Sequence, residues 1–502
     1  MQKTVRFVLD DRVVEIDFAK SPVLKPTMTV LNYLRSLPDH KGVKEGCAEG
    51  DCGACTIVIA EAGENSRLTY RALDSCLLFL PMIHGKQLIT VENLAVDHQR
   101  QKVLHPVQQM MVETNGSQCG YCTPGVVMSL FSLYKNHHEP SREVIEDALT
   151  GNLCRCTGYQ PIIEAAQKAC THHGEDHFSS REKEIIGLLK PINDNQETLE
   201  IITEKQKYLK PFILKEALRL RKDHPMAVII NGSTDVALRQ TKGKEHLAEI
   251  LDLSGVEEMK TFTEDKENCV FGAGISLEMM KKFTKESFPA LYEILKVFGS
   301  LQIRNTGTIG GNIGSASPIG DLLPVLFVYK ARIKLQSVTS ERIINIEDFI
   351  KGYRKTDIRE DELIAEVIIP KNIAGRVRSY KVSKRKDLDI STVCGAFRVE
   401  LQEDKVKEIM IAFGGMADTT KRAMKTETFL TGKPWNRENV KAAMEILGDE
   451  FTPISDARSE AEFRKVVARN LLMKCFLCTP PLHPSPARRG GDGGGVHKNQ
   501  KL

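Results

Sequence analysis

The residues of this chain best suited to chemistry are cysteines, and they are unevenly placed. There are 13, and eight fall into two groups. The first reads Cys47-x4-Cys52-x2-Cys55, inside "GCAEGDCGAC", with Cys76 further on. This spacing suits a two-iron, two-sulfide cluster. Four thiolates must converge on two irons, so consecutive ligands come from a loop that curls round the cluster, not from a helix or strand. Gly46, Gly50 and Gly53 allow positive φ and let backbone N–H groups approach the sulfurs. A structural zinc site is the competing reading, but zinc favours paired knuckles. Cys52-x2-Cys55 alone would fit one; Cys47 and the loop glycines fit it less well.

The second group is Cys119-x2-Cys122 and Cys154-x1-Cys156, in "SQCGYCTPG" and "GNLCRCTGYQP". Side chains two apart diverge on a helix, so a C-x-C pair is awkward there for one tetrahedral metal. Pro124 and Gly125 follow the first pair, and Thr157 and Gly158 the second, which places both at helix termini. Two such pairs can face each other. Zinc competes here as well, though a second two-iron cluster is the better reading beside the first group. Cys170, Cys269, Cys394, Cys475 and Cys478 lie outside both groups and read as small buried hydrophobes or free thiols.

The elements around these groups divide the chain into regions. Residues 1 to about 90 hold short β-rich pieces, "TVRFVLD", "RVVEIDF", "CTIVIA" and "QLITVENL". One helix is expected over "TVLNYLRSL". Residues 91 to about 170 read as helices: "PVQQMMVETN", "PGVVMSLFSLYKNH", "SREVIEDALTGN" with its serine cap, and "QPIIEAAQKACTHH". A polar stretch near 171–208 carries no strong pattern and reads as a linker. Strands and helices alternate from 209 to about 370, and from 376 to 470 strands precede helices.

Two loops in the later half could hold phosphates. "AVIINGSTDVAL" is a strand, a turn and a helix start, with Gly232 and Ser233 where backbone N–H groups could grip a diphosphate. "NTGTIGGNIGSASPIGDLLP", residues 305–324, reads as a long loop dense in glycine and hydroxyls. A plain surface loop with turn glycines is the alternative. No G-x-G-x-x-G is present, so a Rossmann site is unsupported.

Composition sets the bounds. The chain has 502 residues, 41% hydrophobic and 27% charged, with 70 Lys and Arg against 66 Asp and Glu. That balance does not suggest a nucleic-acid or membrane-surface binder. Apolar runs such as residues 76–83 fall far short of the roughly eighteen needed to span a bilayer. With no signal-peptide pattern at the N-terminus, a cytoplasmic location is expected, where clustered cysteines bind metal more readily than they pair as disulfides.

The three cysteine motifs resemble the two iron–sulfur domains of the xanthine dehydrogenase and aldehyde oxidase family. That resemblance implies a multidomain α+β chain. Residues 1–90 become a β-grasp ferredoxin-type domain with a 2Fe-2S cluster on Cys47, Cys52, Cys55 and Cys76. Residues 91–172 become a helical-bundle domain with a second cluster on Cys119, Cys122, Cys154 and Cys156. A linker (173–208) leads to a two-subdomain α+β FAD-binding domain of PCMH/VAO-like type (209–372). A CO dehydrogenase flavoprotein-type α+β domain (376–474) and a disordered tail (475–502) complete the chain. The first flavin loop would be Val228, Ile229, Ile230, Asn231, Gly232, Ser233, Thr234, Asp235 and Val236. The second would be lined by Phe298, Thr308, Gly310, Gly311, Asn312, Ser315, Ser317 and Asp321, with Lys381 a further contact.

The chain stops where fused members of the family continue into a molybdopterin domain, which resembles the small subunit of bacterial two-subunit members. This implies electron transfer from a molybdenum centre on a molybdopterin-binding large subunit, through two 2Fe-2S clusters to FAD and then NAD+. The oxidation of hypoxanthine and xanthine to urate would be the supported reaction. A heterotetramer, two of each subunit, is the implied assembly, with no nucleic-acid or membrane partner and no catalytic side chain to assign here. The alternatives are the equivalent subunit of another molybdenum hydroxylase, acting on aldehydes, nicotinate or carbon monoxide, and a non-catalytic metal-binding redox sensor.

Overall fold

The computed structural model describes residues 1–480 apart from 22, 64–66, 99–100 and 172–173. Alternation in the first residues forms the hairpin Thr4–Leu9 and Arg12–Asp17. It turns on Asp10 and Asp11 at φ 51° and 59°, a conformation that short polar side chains tolerate. The hairpin belongs to a five-stranded sheet with Gln87–Ile89, Thr56–Ala62 and Leu68–Asp74, in that order outward from Thr4–Leu9. The helix Val30–Ser36 crosses one face, capped by Thr29, whose hydroxyl accepts from the Asn32 N–H at 3.2 Å.

Apart from the exposed edge strand Arg12–Asp17, both faces of this sheet are largely buried, which explains apolar runs such as that in Thr56–Ala62. Phe7, Ile57, Ile59 and Leu88 pack with Val30, Leu31 and Leu34 of the crossing helix. Their alternating neighbours Val8, Val58 and Ala60 face the helical domain, against Val127, Leu130 and Phe131. The period of two thus divides one sheet between two cores. The helical domain is built from Pro106–Glu113, Thr123–Asn136, Arg142–Leu149 and Gln160–Thr171.

The stretch 173–208, expected as an unpatterned linker, is mostly regular structure. It holds the helices His177–Ser180 and Glu182–Asn193 and the strands Leu199–Ile202 and Lys207–Lys210. Ile185, Leu189 and Ile192 are buried along one side of the second helix, a spacing masked in the sequence by the charges between them. The two strands join Glu249–Asp252 and Val228–Ile230 in a four-stranded sheet. A second, antiparallel sheet of five strands runs Phe262–Glu264, Asn268–Gly272, Leu363–Pro370, Arg332–Gln336, Glu341–Asn345. These are the two parts of the flavin-type region.

Residues 305–324 are not one long loop. They contain the helix Ile309–Gly314 and enter another, Leu322–Val328, just after Leu301–Thr306 ends. Thr308 caps Ile309–Gly314, its hydroxyl accepting from the Gly311 N–H at 3.1 Å; that local bond offsets the low helix propensity of the glycines. The C-terminal domain is a sheet of Arg376–Val382, Val393–Gln402, Lys405–Gly414 and Lys421–Arg422 backed by three helices, the last being Ala461–Leu477. The tail expected over 475–502 begins too early: residues 475–477 complete this last helix, with Cys475 buried against the domain core, and the part beyond 480 lies outside the described residues. Cys170, Cys269, Cys394 and Cys475 are buried, and Cys478 is exposed.

Candidate redox site

The loop 46–55 wraps as its spacing requires. Gly50 and Gly53 take positive φ, 82° and 66°, and Ala48 joins them at 55°. Gly46 does not, and its need is space: a Cβ there would lie 2.7 Å from the Cys52 sulfur. Cys76 comes to the loop on the turn after Leu68–Asp74. The four thiols lie in two hydrogen-bonded pairs, Cys47 with Cys52 and Cys55 with Cys76. The Cys52 thiol, with the N–H groups of Glu49 and Asp51 at 3.4 and 3.2 Å from Cys47 Sγ, holds the Cys47 thiol down at about 5. Cys55 shifts up through its bond to Cys76, through burial and through Asp74; its sulfur donates to Asp74 Oδ1 at 3.6 Å. Burial pushes Asp74 itself up to about 8.

The second group is also paired. Cys122 hydrogen-bonds with Cys154 and Cys119 with Cys156, each pair drawing one thiol from each segment. Cys122 is the N-cap of Thr123–Asn136, and the other pair precedes Gln160–Thr171. Cys122 thus stands at a helix start, although burial and its bond to Cys154 push its thiol up to about 12; Cys154 and Cys156 lie in the loop ahead of Gln160, short of the helix terminus the sequence suggested. Burial raises Cys154, but the Thr157 hydroxyl and the N–H groups of Thr157 and Cys156 outweigh it and bring the thiol down. The Thr157 hydroxyl lies 3.2 Å from the sulfur. Cys119 and Cys156 are exposed.

The donor chemistry can be tested against the two metals. Among the described residues no three or more His, Cys, Asp or Glu side chains converge on one metal position. A tetrahedral zinc needs four ligands on one ion. A diiron cluster needs two thiolates per iron, and two pairs per site are what both groups supply. The arrangement fits iron–sulfur clusters.

The two groups also touch. Leu153 N–H donates to the Cys52 carbonyl at 3.0 Å, and Asn152 Nδ2 donates to the Gly53 carbonyl at 3.2 Å. A Cβ on Gly53 would lie 2.3 Å from the Gly151 carbonyl oxygen, so only glycine lets the loops meet this closely.

The flavin segments pack against the first group. Val228, Ile229 and Ile230 are an edge strand, and Asn231 to Asp235 leave its carboxyl end, where open α/β sheets bind ligands. Ser233, at φ 56°, donates to the carbonyl of Leu77, next to Cys76. The helix Val236–Thr241 ends with the Thr241 hydroxyl donating to the Ala48 carbonyl at 2.9 Å. The two flavin loops lie together: a Cβ on Gly232 would be 2.0 Å from the Thr306 carbonyl oxygen, and one on Gly307 would be 3.6 Å from Thr234 Oγ1. Gly310 N–H donates to the Ala273 carbonyl at 2.8 Å. Asn312 Oδ1 is buried without a partner, as a cofactor-binding acceptor would be before its ligand arrives. Ser315 donates to the Asn312 carbonyl at 2.9 Å, and Ser317 Oγ accepts from the Ile319 N–H at 3.4 Å.

Asp321 and Lys381 meet each other, Nζ to Oδ2 at 2.9 Å, with side chains 5% and 4% exposed. Ser391 donates to the other Asp321 oxygen at 2.5 Å. Phe298 packs half-buried on the flavin-domain core. Of the expected flavin contacts, Asn231 and Thr308 line a cleft of about 1560 Å³; the others, Asp321 and Lys381 included, do not form its walls. The unpartnered acceptor on Asn312 and the open cleft beside Asn231 and Thr308 are compatible with a flavin near these segments. Sequence reading missed Asn152, Thr241, Gln302, Arg304 and Asn305, whose side chains join the domains; contacts between domains leave no periodic signal.

Three family descriptions match the chain in order: a [2Fe-2S] binding domain over 90–167, an FAD binding domain in molybdopterin dehydrogenase over 203–372, and a CO dehydrogenase flavoprotein C-terminal domain over 378–479. Xanthine dehydrogenase/oxidase of Gallus gallus is 31% identical over 94% of this chain and 40% of its own length. Xanthine dehydrogenase of Emericella nidulans is 32% identical over 88% of this chain and 36% of its own. The chain thus spans about two fifths of the curated relatives it matches. Among solved structures, a chain of carbon monoxide dehydrogenase from Hydrogenophaga pseudoflava aligns with TM-score 0.51 at 24% identity, over 55% of this chain and 96% of that one. A chain of quinoline 2-oxidoreductase from Pseudomonas putida 86 aligns equally well, TM-score 0.51 at 23% identity, over 54% and 95%. Both share the fold of a little over half of this chain. With these three domains in one order and relatives aligned along nine tenths of its length, the chain belongs to the xanthine dehydrogenase family and carries that family's iron–sulfur and FAD-binding domains.

Proposed function

We propose that this chain is the electron-transfer subunit of a xanthine dehydrogenase. On this reading it draws electrons from a molybdopterin-binding large subunit that oxidises hypoxanthine and xanthine to urate, and delivers them to NAD+ in the cytoplasm. Cys47, Cys52, Cys55 and Cys76 would hold one 2Fe-2S cluster, and Cys119, Cys122, Cys154 and Cys156 a second. Residues 228–236, Phe298, Thr308, Gly310, Gly311, Asn312, Ser315, Ser317, Asp321 and Lys381 would hold FAD. When bound, the clusters carry single electrons and the flavin converts them to pairs for hydride transfer.

One observation carries the reading: all three sites are in direct contact. The Cys52 carbonyl receives the Leu153 N–H, and the Leu77 carbonyl receives the Ser233 hydroxyl. The chain's own residues keep the sites from separating and place N–H donors at the sulfurs, which favours the more negative state of a cluster. The exposed Cys119 and Cys156 edge, with Tyr121 and Leu153 half exposed beside it, suits docking of the large subunit. A heterotetramer would follow if two such pairs associate.

Full-length curated relatives that share 31–32% identity are xanthine dehydrogenases, which favours xanthine over other hydroxylase substrates. Among the described residues no helix is long and apolar enough to cross a membrane. Anaerobically reconstituted chain is expected to reduce a dye with NADH and to leave xanthine untouched until a molybdopterin-bearing partner is added. Xanthine turnover by the chain alone would contradict this assignment, as would failure of NADH to reduce it.

A further inference from the structure

We propose that the consecutive residues Gln302, Ile303, Arg304 and Asn305 form a spacer that fixes the flavin loop against both cluster domains. The inference rests on the relay reading above and adds positioning residues to it. The helix that carries them, Leu301–Thr306, has six residues and would not persist alone in water. It is nevertheless rich in buried polar side chains: Gln302 and Arg304 are 0% exposed and Asn305 9%. Buried polar groups need partners, and Gln302 Nε2, Arg304 and Asn305 each find at least one in another domain, while Gln302 Oε1 has none.

Gln302 Nε2 donates to Ser129 Oγ and Asn152 Oδ1, both at 2.9 Å, in the helical domain. Asn152 in turn donates to the Gly53 carbonyl at 3.2 Å and to Thr56 Oγ1 at 3.1 Å. One amide therefore ties Gln302 to the residue after Cys52, from a position two before Cys154. Ile303 packs on the first loop, its Cδ1 2.9 Å from where a Gly50 Cβ would stand. Arg304 binds Asp147 of the helical domain at 2.6 Å and Glu278 of its own domain at 2.7 Å. Asn305 Nδ2 donates to the Ala72 carbonyl of the first sheet at 3.0 Å. The next carbonyl, of Thr306, abuts Gly232 of the other flavin loop.

An apolar interface is non-directional and can slide. This one cannot shift without breaking several buried hydrogen bonds together, each costly to leave unmade. Directional contacts of this kind suit a joint whose length sets the rate of electron movement.

The test uses the full reconstituted chain with Gln302→Leu, and with the pair Arg304→Met and Asp147→Asn, which avoids stranding the Asp147 carboxylate. Two readouts are compared with the parent. Internal electron equilibration between flavin and clusters after rapid photoreduction is expected to slow about tenfold or more, in line with the cost of small misplacements at reacting groups. Iron content, flavin content and cluster potentials stay unchanged. Amide exchange of residues 306–311 is expected to quicken while that of Val228–Ile230 does not. Equilibration and exchange both matching the parent, with cofactors bound, would overturn the spacer. If the parent itself takes up no iron or flavin, the relay reading falls instead. The exchange arm then decides the spacer alone, and unaltered exchange at 306–311 overturns it.

Discussion

Cys122→Ser is expected to halve the iron and labile sulfide of the reconstituted chain while leaving its helix content intact. Cys122 serves the second thiol group and is also the N-cap of Thr123–Asn136, without a side-chain capping bond. Serine is a better cap than cysteine, so the helix loses nothing. Serine is a poor ligand for iron in a sulfur-rich cluster, so the site loses one of two donors on one iron and does not close. Metal-site formation in small domains is worth roughly 10 kcal/mol or more of apparent folding energy, so the 119–156 segment should also melt earlier and exchange faster. Cys55→Ser should do more harm: Cys55 is 2% exposed and fills the core of the first domain beside Cys76 and Leu77. Iron analysis, low-temperature EPR and far-UV circular dichroism of the two variants check this. Full iron in Cys122→Ser would remove Cys122 from the ligand set.

Lys381→Met is expected to destabilise the chain by about 3–5 kcal/mol and to abolish flavin binding. The change strands Asp321, whose carboxylate is nearly fully buried and would keep Ser391 as its side-chain donor. Most of that loss comes from the orphaned charge. The double variant Lys381→Met with Asp321→Leu removes both charges, and isosteric apolar replacement of a buried pair is often neutral. Stability should therefore return while flavin affinity does not. Denaturant titration and flavin retention measured on all three proteins separate these effects. Flavin bound normally by the double variant would make the pair purely structural.

Local chemistry was legible in the sequence and contact between domains was not. The Cys47, Cys52, Cys55 spacing and the glycines among them are consequences of wrapping a cluster within ten residues, so the loop could be read directly. Gly50 and Gly53 behave as that reading requires; Gly46 is there for room near the Cys52 sulfur. The helices of the second domain follow their caps, Ser141 and the proline at position 124. Residues 309–314 were hidden because glycine propensity argues against a helix that Thr308 nevertheless caps. Glu182–Asn193 was hidden because its apolar stripe is thin and carries an internal proline, Pro191. Gln302, Arg304 and Asn305 look like ordinary surface residues in a string. Only the fold shows that partners more than a hundred residues away bury them.

The most direct measurement is the content of iron, acid-labile sulfide, zinc and flavin in anaerobically isolated chain, read with low-temperature EPR of the reduced protein. The account predicts two distinguishable diiron signals and one flavin per chain, with zinc at trace level. Stoichiometric zinc on these thiols without labile sulfide would contradict it.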